Sequence, residues 1–139
     1  MESGISRARL NADPCERFVA LRRELGVSSF GINQMALAPG QRGRIHRHER
    51  QEEVYLVLEG ALTLLVEGEE NVFEAGELVR IGPEVRRQLV NAGSEKVVLL
   101  ALGGSEPHNG RDGVAYTDWE AGEGAPPQEV PLPENLSAD

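Results

Sequence analysis

The residues of this chain whose types and spacing can do chemistry are two histidines two apart, His46 and His48, followed by adjacent acids at Glu52 and Glu53. In an extended strand, residues i and i+2 leave the same face, so this spacing aims both imidazoles at one point. Neutral imidazole nitrogens with one carboxylate are an ordinary ligand set for a divalent first-row metal ion. A lone histidine is more often a satisfied or solvated ring; here the paired spacing argues for a site. Tyr55, turned inward by the alternation of the same stretch, can assist proton transfer or simply pack.

The elements that must position these groups are short β-type runs. From Ser28 to about Gly104 the chain reads as strands in SFGINQMALA, EEVYLVLEG, ALTLLVE, ELVRI, RRQLV and KVVLLAL, with breaks at Pro39-Gly40, Glu59-Gly60, Glu67-Gly68, Ala75-Gly76, Gly82-Pro83 and Asn91-Ala92-Gly93. This spacing predicts an all-β barrel or sandwich. In VYLVL, Val54, Leu56 and Leu58 point one way and Tyr55 and Val57 the other, so the strand is apolar on both faces. Such a strand suits a closed barrel whose outer wall is also covered, by the terminal segments or by a second subunit. Residues 1–27 form an N-terminal segment with a helix expected over about 14–25: Asp13 is a good N-cap, Pro14 suits the first turn, Glu16 completes a capping box, and Gly26 ends it. Phe18, Leu21 and Leu25 make its apolar stripe. Residues 105–139, with Pro126, Pro127, Pro131 and Pro133 among acids, read as a partly irregular, loosely held extension in which Tyr116 and Trp119 anchor the start on the barrel or cap its open end. Arg42, Arg44, Arg47, Glu49, Arg50 and Glu52 alternate around the histidines and read as a solvated turn.

The stretch GQRGRIHRHERQEEVYLVLEG resembles the first motif of the cupin superfamily, G-x5-H-x-H-x3,4-E-x6-G, at every fixed position: Gly40, His46, His48, Glu53 and Gly60. The resemblance implies a single-domain cupin β-barrel of jelly-roll type over residues 28–104, with His46, His48 and Glu53 lining it and binding a metal. A second motif, G-x5-P-x-G-x2-H-x3-N, keeps its frame from Gly76 to Asn91 but not its contents: Gly82, Glu84 and Arg87 stand where proline, glycine and histidine are expected. A shift that honours Pro83 puts Gln88 in the ligand place instead. A guanidinium has no lone pair and stays protonated, so Arg87 cannot coordinate a cation and repels one nearby. Three arrangements stay open: a metal on His46, His48 and Glu53 with Arg87 gripping an anionic substrate; an Arg87–Glu53 salt bridge in place of the metal; or Arg87 on the surface of a bulged strand.

At 139 residues the chain is one domain's worth, and Cys15, the only cysteine, permits no intrachain disulfide. The net charge of −9 argues against a nucleic-acid surface. The opening residues carry no apolar signal-like core and no run is long enough to span a bilayer, so a cytoplasmic protein without membrane attachment is expected. Apolarity on both strand faces, together with the family resemblance, predicts a homodimer. The reading that best accommodates Arg87 is a module binding a small polar or anionic molecule in the barrel, with Arg87, Tyr55 and Gln88 as ligand contacts. The alternative is a metal-dependent cupin enzyme, an oxygenase or isomerase, holding iron, manganese, nickel, copper or zinc at His46, His48 and Glu53. His108 has no assigned role.

Overall fold

The structure is a computed structural model that describes residues 4–11, 13, 17–105 and 111–136. Ten strands and one short helix follow in order: β1 (Phe18–Val19), α1 (Leu21–Leu25), β2 (Gly31–Leu37), β3 (Ile45–His48), β4 (Glu52–Glu59), β5 (Ala61–Val66), β6 (Glu69–Glu74), β7 (Leu78–Ile81), β8 (Arg87–Val90), β9 (Val97–Gly104) and β10 (Gly113–Tyr116), with a 3-10 turn at Pro127–Glu129. They form two five-stranded antiparallel sheets, β1-β2-β9-β4-β7 and β10-β3-β8-β5-β6. The all-β jelly-roll architecture is therefore present, but the sheets face each other without closing into a barrel. Each sheet ends in edge strands, β1 and β7 in the first and β10 and β6 in the second, where the sequence suggests a closed cup.

Period-two alternation builds the core. Tyr55 and Val57 on β4, Leu99 and Ala101 on β9 and Leu37 on β2 face Leu62 and Leu64 on β5 and Leu89 on β8, all buried. Burying each such aliphatic side chain contributes about 1.5–3 kcal/mol, so this slab fixes the sheets face to face. Val54 and Leu56 point outward, paired with Leu102 and Leu100 of β9. The link from β4 to β5 needs a glycine: Gly60 has φ 75°, and a Cβ there would lie 2.3 Å from the Lys96 carbonyl oxygen. The β5–β6 hairpin turns through Glu67 (φ 48°) and Gly68 (φ 85°), the two positive φ values of a tight two-residue loop.

At the N-terminus the helix is shorter than its sequence signals predict. Phe18 and Val19 are extended and pair with Met35 and Gln34, and α1 starts only at Leu21. The hydrogen bonds offered by the edge of β2 outcompete a local helix there. Pro14, Cys15 and Glu16 lie outside the described residues, as does His108.

The C-terminal stretch is held more firmly than its composition suggests. β10 extends the second sheet by pairing with β3, and Ala115 bridges to Ala125. Beyond it, Val130 is buried, its carbonyl accepts from Arg44 Nε (2.6 Å), the Glu134 carbonyl accepts from Arg42 Nε (2.8 Å), and Leu136 N–H donates to Gly40 (2.9 Å). Tyr116 is buried, its hydroxyl accepting from Arg47 Nε (2.9 Å) and its ring lying under the Arg86 guanidinium. Trp119 follows it half-buried, its carbonyl accepting from Arg86 Nη1. Arg42, Arg44 and Arg47 are thus tethers for the tail rather than members of a solvated turn.

Candidate metal centre

The candidate site lies between the two sheets. On β3, alternation sends Ile45 and Arg47 outward, opposite Tyr116 and Val114 of β10, and leaves His46 and His48 on the inner face. Arg87, the first residue of β8, sits directly across from His46. From the facing sheet, β4 contributes Glu53 and Tyr55, two apart and therefore on the same inner side.

Glu53 Oε1 lies 3.6 Å from His46 Nε2 and 3.4 Å from His48 Nε2. The two rings meet edge to face at 90°, with centroids 5.4 Å apart, and the coordinating atoms of all three residues lie within 4.8 Å of one another. Two ligand atoms each bound at about 2.1 Å to one ion are separated by roughly 3.0 Å at a right angle and roughly 3.4 Å at a tetrahedral angle. The spacing already suits a single ion.

The proton positions suit it too. His46 Nδ1 is 3.2 Å from the Arg44 carbonyl oxygen and His48 Nδ1 is 2.8 Å from Asp112 Oδ1. Each of these partners is an acceptor, so each Nδ1 carries a hydrogen, and in the neutral ring the lone pair is left on Nε2, on the side of Glu53. Asp112 is itself fixed: it accepts from the backbone N–H groups of Arg50 and Gln51 (both 2.8 Å) and from Gln51 Nε2 (2.7 Å), and is buried.

Arg87 is inside, fully buried, and its donors are committed. Nη2 donates to Glu53 Oε1 (2.7 Å), Nη1 to the Val85 and Pro83 carbonyls (2.7 and 3.2 Å), and Nε reaches the Tyr55 hydroxyl (3.4 Å). The Tyr55 hydroxyl donates to the same Glu53 oxygen (2.6 Å). The hydrogen bonds from Tyr55 and Arg87 both fall on Glu53 Oε1, the oxygen that also faces His46 and His48 Nε2, so an ion between the three residues would share that oxygen with them.

These contacts set the charges. Burial pushes Glu53 up, but His46 and His48, when their rings carry a second proton on Nε2 in the metal-free protein, more than offset it by hydrogen bonding and charge and hold the carboxyl well below its usual range. Tyr55 is pushed well above its ordinary value, first by burial and then by the Glu53 charge. Burial would lower His48, yet Glu53 and Asp112 raise it overall, with Arg87 pulling the other way. Burial would raise Asp112; the Arg50 and Gln51 N–H groups and His48 bring it below normal. Burial would lower Arg87, but the Glu53 carboxylate and the hydrogen bonds to Glu53 and the Tyr55 hydroxyl raise it overall, so it stays cationic.

The structure thus brings His46, His48, Glu53, Tyr55 and Arg87 together. Gln88 is not among them: next along β8, it projects to the opposite face, where Nε2 donates to the Gly43 carbonyl (3.0 Å). Asp112 is a member that sequence reasoning missed. Sixty-four residues separate it from His48, and its only local signal is an ordinary Asp-Gly turn pair.

The profile of the Cupin_2 family, described as a cupin domain, matches residues 33–103. The chain belongs to the cupin family. The match spans β2 to β9 and so contains His46, His48, Glu53, Tyr55 and Arg87, though not Asp112. Among solved structures, this cupin resembles a cupin protein from Bacteroides fragilis, with 22% identity over 76% of this chain and 86% of that one and a TM-score of 0.66. It also resembles a putative sugar phosphate isomerase from Acidithiobacillus ferrooxidans, with 25% identity over 71% of this chain and 62% of that one and a TM-score of 0.61. A sugar phosphate isomerase from Silicibacter pomeroyi shares 26% identity over 84% of this cupin and 79% of its own length, with a TM-score of 0.60. No curated protein matches the sequence.

Proposed function

We propose that this cupin binds a divalent first-row metal ion through His46 Nε2, His48 Nε2 and Glu53, and with it a small polar or anionic molecule. The observation that carries this reading is the pair of Nδ1 hydrogen bonds, to the Arg44 carbonyl and to Asp112, which leave both coordinating lone pairs on the side of Glu53. A bound ion in a three-ligand site keeps open positions where it holds and polarises an oxygen of the ligand. The chain's own residues do the rest. Arg87 and Tyr55 fix the Glu53 carboxylate, and the Tyr55 proton, held on Glu53, is a hydrogen-bond donor rather than a ready acid. Arg87 is a scaffold for the ligand set, because its guanidinium donors are used within the protein.

A second reading, catalysis of an isomerisation on a phosphorylated sugar, draws support from two structural neighbours named as sugar phosphate isomerases at 25 and 26% identity. The cavity of about 670 Å³ adjacent to the His48 end of β3 is bordered by Arg50 and Ser105 but also by Glu49 and Glu84, so its lining gives a phosphate one basic side chain against two acidic ones. As a binding partner of a different kind, we infer a second copy of the chain on the apolar outer face of the first sheet, in the cytoplasm.

Elemental analysis of untagged protein purified without chelators tests the metal. One equivalent of a transition metal, lost in the His46→Ala, His48→Ala double variant, is the expected result; no metal, even after incubation with each candidate ion, would refute it. Incubation with aldose and ketose phosphates, followed by NMR, separates the two readings: interconversion marks an isomerase, and binding without turnover marks a module.

A further inference from the structure

Arg87 places a fixed positive charge against Glu53, where a dication would also have to sit. We propose that Asp112 is the positioning residue that makes the site usable despite this: it holds His48 through Nδ1 and supplies the negative charge that offsets Arg87. The inference rests on the metal-binding reading above and concerns a residue outside the part of the chain matched by the family profile.

Three observations carry it. First, Asp112 is built into place rather than merely nearby. Two backbone N–H groups, the Gln51 side-chain amide and His48 Nδ1 all donate to it, so its carboxylate is committed on every side and its distance to the ring is fixed at 2.8 Å. Second, the charges balance in the right sense. With neutral histidines, Glu53 and Asp112 against Arg87 leave the cluster with a net negative charge, which a dication reverses; without Asp112 the cluster would start neutral and become doubly positive. Third, Asp112 and Arg87 bring opposite charges to the same ligand set, Asp112 at 2.8 Å from His48 Nδ1 and Arg87 Nη2 at 2.7 Å from Glu53 Oε1. A carboxylate behind a metal-bound histidine fixes the ring's tautomer and increases its basicity, and losing it commonly weakens binding 10–100-fold.

The test is zinc titration by calorimetry on the chelator-stripped full-length chain, comparing wild type, Asp112→Asn, Arg87→Gln and the double variant, with thermal unfolding alongside. Asparagine keeps the size and a carbonyl acceptor for His48 Nδ1; it removes the charge and the acceptor oxygen that faces the Arg50 and Gln51 N–H groups, and the double variant separates the two losses, because only the charge is offset by Arg87→Gln. Asp112→Asn should bind zinc about 10–100-fold more weakly, and adding Arg87→Gln should restore most of that loss. Nitrogen-15 histidine spectra should show the His48 Nδ1 proton retained in the zinc complex. Wild-type affinity in Asp112→Asn, or a double variant as weak as the single, would overturn the inference while leaving the metal site standing. No zinc binding by wild type would overturn both. Should Asp112→Asn fail to fold, Arg87→Gln alone decides, since removing the guanidinium must then tighten zinc, and an unchanged affinity would count against charge compensation.

Discussion

A guanidinium buried against a carboxylate is costly to take out of water and costlier still to leave unpaired, and this fixes what Arg87 and Glu53 can do. Arg87 is fully buried with Glu53 as its acid partner at 2.7 Å. Glu53→Ala should therefore destabilise the protein by about 3–5 kcal/mol, read from urea unfolding, because it strands a buried cation. Arg87→His acts in the opposite direction on the ion: it removes the charge and adds an imidazole, so calorimetry should record zinc affinity at least about tenfold tighter. The acid behaviour of the metal-free protein follows from the same contacts. Glu53 and Asp112 ionise at lower pH in the fold than their ordinary values of 4.5 and 3.8, so the unfolded chain binds more protons there. Their stabilisation is complete above those ordinary values and drains away as pH falls through the folded ones. His48, raised above 6.5, contributes the reverse: its share is full below that pH and is lost as pH rises through the folded value. The melting temperature of chelated protein should thus drop on acidification below pH 4.5, the ordinary Glu value, and the drop should be shallower in Asp112→Asn. At this scale the sequence carries the ligand set plainly, since His46, His48 and Glu53 lie within eight residues of one another. Asp112 was illegible because its partnership depends on β10 reaching β3, which no local pattern announces.

Strands whose faces are both apolar are the ones whose sequences declare them. β2, β4, β5 and β9, interior to their sheets, were readable from alternation and bulk, as was the edge strand β7; β3 is interior too, but as IHRH it shows only through its paired histidines. β6, EENVFE, is an edge strand with all but Phe73 exposed, so its acids masked it. β1 went unread for another reason: Asp13, Pro14 and Glu16 look like a helix start, yet pairing with β2 draws Phe18 and Val19 into the sheet. The turns allow a sharper test. Gly60 and Gly68 both have positive φ, but a Cβ at Gly60 would strike the Lys96 carbonyl, whereas at Gly68 it would meet nothing within 4 Å. Gly68→Ala should cost about 1–2 kcal/mol for the backbone conformation alone. Gly60→Ala should cost distinctly more, by about a further 1–3 kcal/mol, as the overpacked loop shifts. Equal losses in urea unfolding would mean that the approach to Lys96 is relieved without strain.

Two open sheets leave the molecule with unequal outer faces. On the second sheet Ile45, Gln88, Val90 and Tyr116 are buried, and the C-terminal segment is tethered beside them through Arg42 and Arg44. On the first, Ile32, Val54, Leu56, Leu100 and Leu102 are only half-buried and Leu78 is 64% exposed. A continuous apolar face of this kind is what a second copy would cover. Light scattering should return twice the chain mass at micromolar concentration, with Leu56→Glu shifting it to the monomer; a wild-type monomer would refute the dimer. The two-faced apolarity of VYLVL was visible in the sequence, but which terminal segment covers which sheet was not, because the tail is fixed by backbone carbonyls that carry no residue signature. The most direct test of the account is a crystal of the protein soaked in zinc and measured across the zinc absorption edge. The expected result is one anomalous peak about 2.0–2.2 Å from His46 Nε2, His48 Nε2 and a Glu53 oxygen, with the Asp112–His48 contact intact. A clean map with no peak between those atoms, and Arg87 still on Glu53, would contradict it.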